Sequence, residues 1–158
     1  MPTPPATQDM LKLVAFDNEG LEILSAHCQD AVVRVADIAY VPKERRFALI
    51  LNRFDWENAH EQPTKDGKAF RRRRSALRFE CVTNVQRLNI DLAKTKDVKS
   101  LLAIRFQESQ APNGTISLIF AGNSEIKLEV ECIEAILQDL GAIWETKSKP
   151  EHPETNDS

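Results

Sequence analysis

The last third of this chain constrains its fold more than any other part of it. Leu102, Ile104 and Phe106, then Ile116, Leu118 and Phe120, then Ile126, Leu128 and Val130 form three runs in which apolar and polar residues alternate. A period of two places each apolar set on one face of a strand. Turn residues separate the runs at Pro112-Asn113-Gly114 and at Gly122-Asn123, so the segment predicts an antiparallel meander with one buried face. The first of these turns is expected to hold Gly114 at positive φ. Beyond the meander, Ile133, Ile136, Leu137 and Leu140 recur at helical spacing and Gly141 stands at a C-cap position. That pattern predicts a closing helix from about Glu131.

Upstream the signals are shorter. Residues 11–16 alternate well enough for a strand, and Asp17 is a plausible N-cap for a helix to about Gln29 with Leu21, Leu24 and Cys28 on one face. Val33 and Val35, then Ile38 and Tyr40, alternate with a slip of phase that predicts a bulge or bend. Pro42-Lys43-Glu44 turns the chain into a strand over residues 46–54 that is apolar on both faces near Phe47 to Leu51, so this hairpin is expected to be central. Residues 55–68 are polar, hold Pro63 and Asp66-Gly67, and predict the longest loop. Leu77, Phe79 and Cys81 alternate again, and after a phase change near Thr83-Asn84 the apolar set becomes Leu88, Ile90 and Leu92. Either one long bent strand or two strands would fit.

The expectation is an α+β domain: a mainly antiparallel, bent sheet of about six to seven strands, an N-terminal helix and a closing C-terminal helix. A sheet curled towards a barrel with that last helix at one end is similar to pleckstrin-homology-like domains. At 158 residues the chain suits one domain, placed at residues 10–145. Residues 1–9 and 146–158 are rich in Pro, Thr, Lys, Glu and Asn and are expected to be disordered. No apolar run approaches the roughly 18 residues of a membrane span, and the N-terminus lacks the pattern of a signal peptide. A cytoplasmic location is expected.

Three cysteines, Cys28, Cys81 and Cys132, are widely spaced with no CxxC, which encourages neither a disulfide framework nor a zinc site. They read as packing thiols. His27, Cys28 and Asp30 are too close along one helix for their side chains to share an ion, and His60 with Glu61 has no spaced acid–base partner. No nucleophile elbow, phosphate-binding glycine loop, dinucleotide fingerprint or HExxH is present. The reading calls for no cofactor, no metal and no catalytic residue.

Charge is divided unevenly. Residues 1–30 carry a net −4, residues 31–90 a net +6 and residues 91–158 a net −5. The basic segment holds Arg71-Arg72-Arg73-Arg74, with Arg46, Arg53 and Trp56 as further contributors to an anion-binding surface. On an extended chain four adjacent arginines alternate sides, so at most two meet one ligand from a strand. The bland alternative is a solvated strand end balanced by Asp55, Glu57 and Glu61 and guarding a sheet edge.

Residues 11–17, 25–57, 71–82, 101–106 and 114–152 together resemble one family. The phrases that carry the resemblance are SAHCQDAVVRVADIAYVPKERRFALILNRFDWE, RRRRSALRFE, GTISLIFAGNSEIKLEVECIEAILQDLG and KPEH. The family is the bacterial, mainly alphaproteobacterial one catalogued as domain of unknown function 2948. It implies a small stand-alone bacterial cytoplasmic domain, and it carries no assigned activity and no site residue. The residues themselves favour a non-enzymatic binding or adaptor domain that presents Arg71 to Arg74 and the 55–68 loop to an acidic protein, with nucleic acid less favoured because the net charge is negative. The alternatives are an enzyme acting on a small phosphorylated or carboxylated metabolite, with arginines as clamps, and a protein that self-associates through opposite charges.

Overall fold

The computed structural model describes residues 10–54 and 71–145. The expected N-terminal disorder, the long loop with Trp56 and His60, and the tail lie outside the described residues. Strand β1 (Lys12–Ala15) leads into helix α1 (Asn18–His27), and β2 (Ala31–Val41) is joined by a 3-10 turn (Pro42–Glu44) to β3 (Arg46–Phe54). Then come β4 (Arg71–Phe79), β5 (Val82–Leu88), β6 (Val98–Glu108), β7 (Gly114–Phe120), β8 (Ser124–Val130) and β9 (Ala135–Glu145). All nine pair antiparallel in one sheet of order β1-β9-β4-β3-β2-β6-β7-β8-β5.

Local chemistry explains the elements that were expected. Asp17 Oδ1 accepts from Gly20 N at 2.8 Å and starts α1. Leu21, Leu24 and Cys28 turn into the core, and Ser25 Oγ accepts from Ile104 N at 2.9 Å, which fastens the helix to β6. The β2–β3 hairpin occupies the middle of the sheet, and its register slips between Val33 and Ile38, where the sequence phase slips. The meander β6–β7–β8 is present in order, with Gly122 and Asn123 at φ 81 and 58 in its second turn. In β6 a register shift between Leu101 and Ala103 buries Leu101 and leaves Leu102 exposed, against the expected alternation.

Gly114 is glycine for a reason other than the expected positive φ, which it does not have. A Cβ there would stand 2.4 Å from the Phe106 ring and 2.6 Å from Gln107 O. The ring packs over the backbone, and only glycine leaves the room.

The closing helix is a correction. After the turn at 131–134, residues 135–145 form β9, inserted between β1 and β4. As a helix, the segment would bury one apolar stripe and leave β4 an unpaired edge. As a strand it pairs with β4 from Phe79 to Arg71 and, over residues 135–138, with β1 from Ala15 to Lys12, so β4 is no longer an edge and the first part of β9 is bonded on both sides. Gly141 is no C-cap. At φ 136 it lies where the β4–β9 register jumps between Ser75↔Asp139 and Arg73↔Ile143. Among the described residues the strands number nine rather than six to seven.

The barrel is the second correction. Among the described residues the sheet ends at the edges β1 and β5 and is open. It curls enough for Val82 N to donate to Arg45 O at 2.9 Å and for Tyr40 Oη to donate to Val82 O at 3.2 Å. Two isolated bonds do not make a closing ladder. The inner face gathers Phe47, Leu49, Leu51, Leu77, Phe79, Ile116, Leu118, Phe120, Ile126, Leu128 and Leu137 with the helix residues into one core. No helix among the described residues is long and apolar enough to cross a membrane.

Candidate functional site

The pleat divides the arginines. Along β3 the inward residues are Phe47, Leu49, Leu51 and Arg53, and along β4 they are Phe79, Leu77, Ser75 and Arg73. The register stacks these in rows with β9: Phe47–Phe79–Ala135, Leu49–Leu77–Leu137, then Leu51–Ser75–Asp139, with Arg53–Arg73 beyond. The inner face is thus apolar for two rows and turns polar at one end. Arg53 and Arg73 are both 0% exposed, so neither belongs to a surface that a partner would meet.

Asp139 organises that end. Its Oδ1 accepts from Arg53 Nε at 3.1 Å and from Ser75 Oγ at 2.7 Å. Its Oδ2 accepts from Arg53 Nη2 at 3.1 Å and from Leu11 N at 2.8 Å, and Arg73 Nη1 stands 3.7 Å from the same oxygen. The two-point pairing with Arg53 and the bond from the N-terminal strand tie β1, β3, β4 and β9 together. Cys28 at the end of α1 packs close enough to feel the cluster. Burial pushes its thiol up to about 12, opposed by Arg53 and reinforced by Asp139.

Arg72, Arg74 and Arg46 face outwards but do not form one patch. Arg72 is half-buried with its guanidinium 4.0 Å from the centroid of the Phe54 ring, and its Nη1 donates to Asn52 O at 3.1 Å. Desolvation lowers its pKa. Arg74 is exposed beside Arg72 and lines a cleft of about 100 Å³ with Val32, Arg34, Asp37, Ile50 and Asn52. Arg34 Nε is 3.5 Å from Asp37 Oδ2 with the Arg34 side chain largely exposed. Among the described residues Asn52 Oδ1 is buried without a hydrogen-bond donor. Arg46 lies six positions back along β3 from Asn52, about 20 Å away.

At that far end Arg46 belongs to a second, larger cleft of about 520 Å³, formed by the 42–46 turn, the β4–β5 junction and the β8–β9 turn. Its charges answer one another. Arg46 bonds Glu80 Oε2 at 2.9 Å and Glu44 Oε1 at 3.0 Å, and Arg45 bonds Glu131. Arg78 Nε lies 2.8 Å from Glu80 Oε2, but its N–H is not aimed at that oxygen, so this contact is Coulombic. Arg45 and Cys81, both left-handed at φ 52 and 62, meet here. In that conformation an L residue other than Asn or Asp is strained by about 1–2 kcal/mol.

Of the expected site residues, the structure brings Arg53 and Arg73 together inside, Arg72 and Arg74 together outside, and leaves Arg46 apart. Trp56 and the side chain of Arg71 lie outside what is described. Asp139, Ser75 and the approach of Cys81 to Cys132 were missed. The first two had a signal, since the inward phase of Phe47, Leu49 and Leu51 runs on to Arg53 and a buried guanidinium demands a carboxylate. Among the described residues no group of three or more His, Cys, Asp or Glu is placed to hold a metal ion. Comparison with curated proteins and with solved structures finds no match. One family model does match, over residues 11–152, and every described strand falls within that span. The chain therefore belongs to the family described as Protein of unknown function (DUF2948).

Proposed function

We propose that this protein is a non-enzymatic binding domain that takes an acidic protein segment on the outer face of β2, β3 and β4, at Arg34, Arg72 and Arg74. The observation that supports this reading best is the pleat itself, which turns Arg72 and Arg74 to the same outer face while Arg53 and Arg73 turn inwards. Stacking on Phe54 holds Arg72 in place before any partner arrives, which reduces the entropy lost on binding. The Asn52 amide oxygen, buried beneath this face without a donor among the described residues, would accept an N–H once a partner's side chain enters the adjoining cleft. The adjoining cleft is about 100 Å³, well below the roughly 300 Å³ at which small-molecule pockets begin. That size argues for a side chain of a larger partner over a whole metabolite.

The test is the affinity for a labelled Glu-rich peptide, followed by fluorescence anisotropy. Arg34→Ser, Arg72→Ser and Arg74→Ser together should weaken binding about tenfold or more, and the native protein should bind less well as salt is raised. The triple variant should remain folded, because Arg34 gives up a largely exposed ion pair worth about 0–1 kcal/mol and Arg72 gives up a ring contact and one backbone hydrogen bond worth about 1–2 kcal/mol together. Unchanged affinity in a folded triple variant would remove the reading.

A further inference from the structure

The two cysteines at the large cleft carry a chemistry that the arginines do not. Cys81 follows β4 and Cys132 lies in the turn before β9, 51 residues away, yet Cys132 Sγ donates to Cys81 Sγ at 3.5 Å. We propose that Cys81 and Cys132 form a reversible thiol–disulfide site that is oxidised by small disulfides of the glutathione class. The site lies at the other end of β3 from Arg74 and stands whether or not the binding face is where we place it.

Three observations support it. First, the backbone is already set. Glu80 N donates to Glu134 O at 2.9 Å, Glu131 N to Cys81 O at 3.0 Å and Val82 N to Arg45 O at 2.9 Å, so the residues on both sides of the pair are pinned. The left-handed φ of 62 at Cys81 is held by these bonds and directs its side chain to Cys132. A disulfide requires the sulfurs at about 2.05 Å, so they must close by about 1.5 Å, which side-chain rotation supplies with little movement of the turns. Second, both thiols are only half-buried and Cys81 lines an open cleft, so a small disulfide reaches the pair from the Cys81 side. Third, Cys81 Sγ lies 4.0 Å from Glu134 Oε1, a contact that holds the Cys81 side chain at the rim of the cleft.

The reaction balances in two exchanges. One thiol loses its proton to the solvent, attacks a sulfur of the small disulfide and expels one small thiolate, giving a mixed disulfide. The second cysteine, deprotonated in turn, attacks the protein sulfur of that mixed disulfide and expels the other small thiolate. Two cysteine thiols and one small disulfide become one protein disulfide and two small thiols. In the reduced protein burial pushes the Cys81 thiol up to about 11, helped by the hydrogen bond with Cys132 and by the charges of Glu134 and Glu131. The pair therefore waits protonated, and the first exchange is the slow one.

The experiment incubates the full chain with oxidised glutathione, blocks the remaining thiols with N-ethylmaleimide and maps peptides by mass without reduction. The expected product is a monomer lighter by two hydrogens, with the peptides of Cys81 and Cys132 joined and Cys28 blocked only after denaturation. Dithiothreitol should restore the starting mass. Cys81→Ser and Cys132→Ser should each stop at a mixed disulfide on the remaining cysteine of the pair. A wild-type protein that keeps bound glutathione, links through Cys28, joins two chains or stays fully reduced under these conditions would overturn the proposal. The wild-type map decides the matter even if a serine variant fails to fold.

Discussion

Two assemblies of arginine and carboxylate mark the two ends of β3, and they differ in almost everything but composition. At one end Arg53, Arg73 and Asp139 have side chains at most 1% exposed, with Ser75 buried beside them. At the other, Arg46 and Glu44 have side chains 40% and 59% exposed. In the interior water cannot replace a lost partner, so each member depends on the others. In the cleft, solvent screens the same pairing and replaces it at small cost. A charged residue in this sheet is thus structural or superficial according to the face its pleat assigns it.

The sharpest way to break the comparison is to remove Asp139. Asp139→Ala leaves two buried guanidiniums without their shared carboxylate and is expected to cost about 3–5 kcal/mol, read from urea unfolding. A loss below about 1 kcal/mol would mean that this end of the sheet is as wet as the cleft.

Cys28 probes the same interior by pH. Burial pushes its thiol from the ordinary 9.0 up to about 12, so the folded state keeps a proton that the unfolded chain releases. The stabilising contribution is fully present below pH 9 and is lost as pH rises towards 12, by about 1.4 kcal/mol per pH unit. Urea unfolding of wild type and Cys28→Ala between pH 9 and 11 should show the wild type falling more steeply by that amount. Parallel slopes would place Cys28 in contact with water.

A core substitution away from both assemblies calibrates the scale. Gly114→Val drives a side chain into the Phe106 ring and should cost about 1–3 kcal/mol. The smallest effect is expected in the cleft, where a double-mutant cycle of Arg46→Ala and Glu44→Ala should give a coupling under about 1 kcal/mol that shrinks with added salt. A salt-independent coupling of the size expected at Asp139 would erase the contrast between the two ends.

The sequence carried part of this and hid the rest. Strand β3 was legible because Phe47, Leu49 and Leu51 keep strict phase, and the same phase, followed two residues further, assigns Arg53 inwards. Helix α1 was legible from Asp17, Leu21, Leu24 and Cys28, since caps and helical stripes are local. Strand β9 was not, because Ile133, Ile136, Leu137 and Leu140 satisfy a helical period as well as a strand period accommodates Ala135, Leu137 and Asp139. An aspartate on the core face looks like a break in alternation until Arg53 and Ser75 are seen to meet it.

By itself, then, the sequence determined the α+β class, the helix after Asp17, the central hairpin and the meander, all of which rest on contacts between near neighbours and on turn chemistry. Only the tertiary structure decided that residues 135–145 join the sheet between β1 and β4, that two arginines are interior and two exterior, and that Cys81 meets Cys132 across 51 residues. Each of those outcomes depends on a long-range strand register, and a register is set by which distant partners satisfy the backbone and the buried charges together.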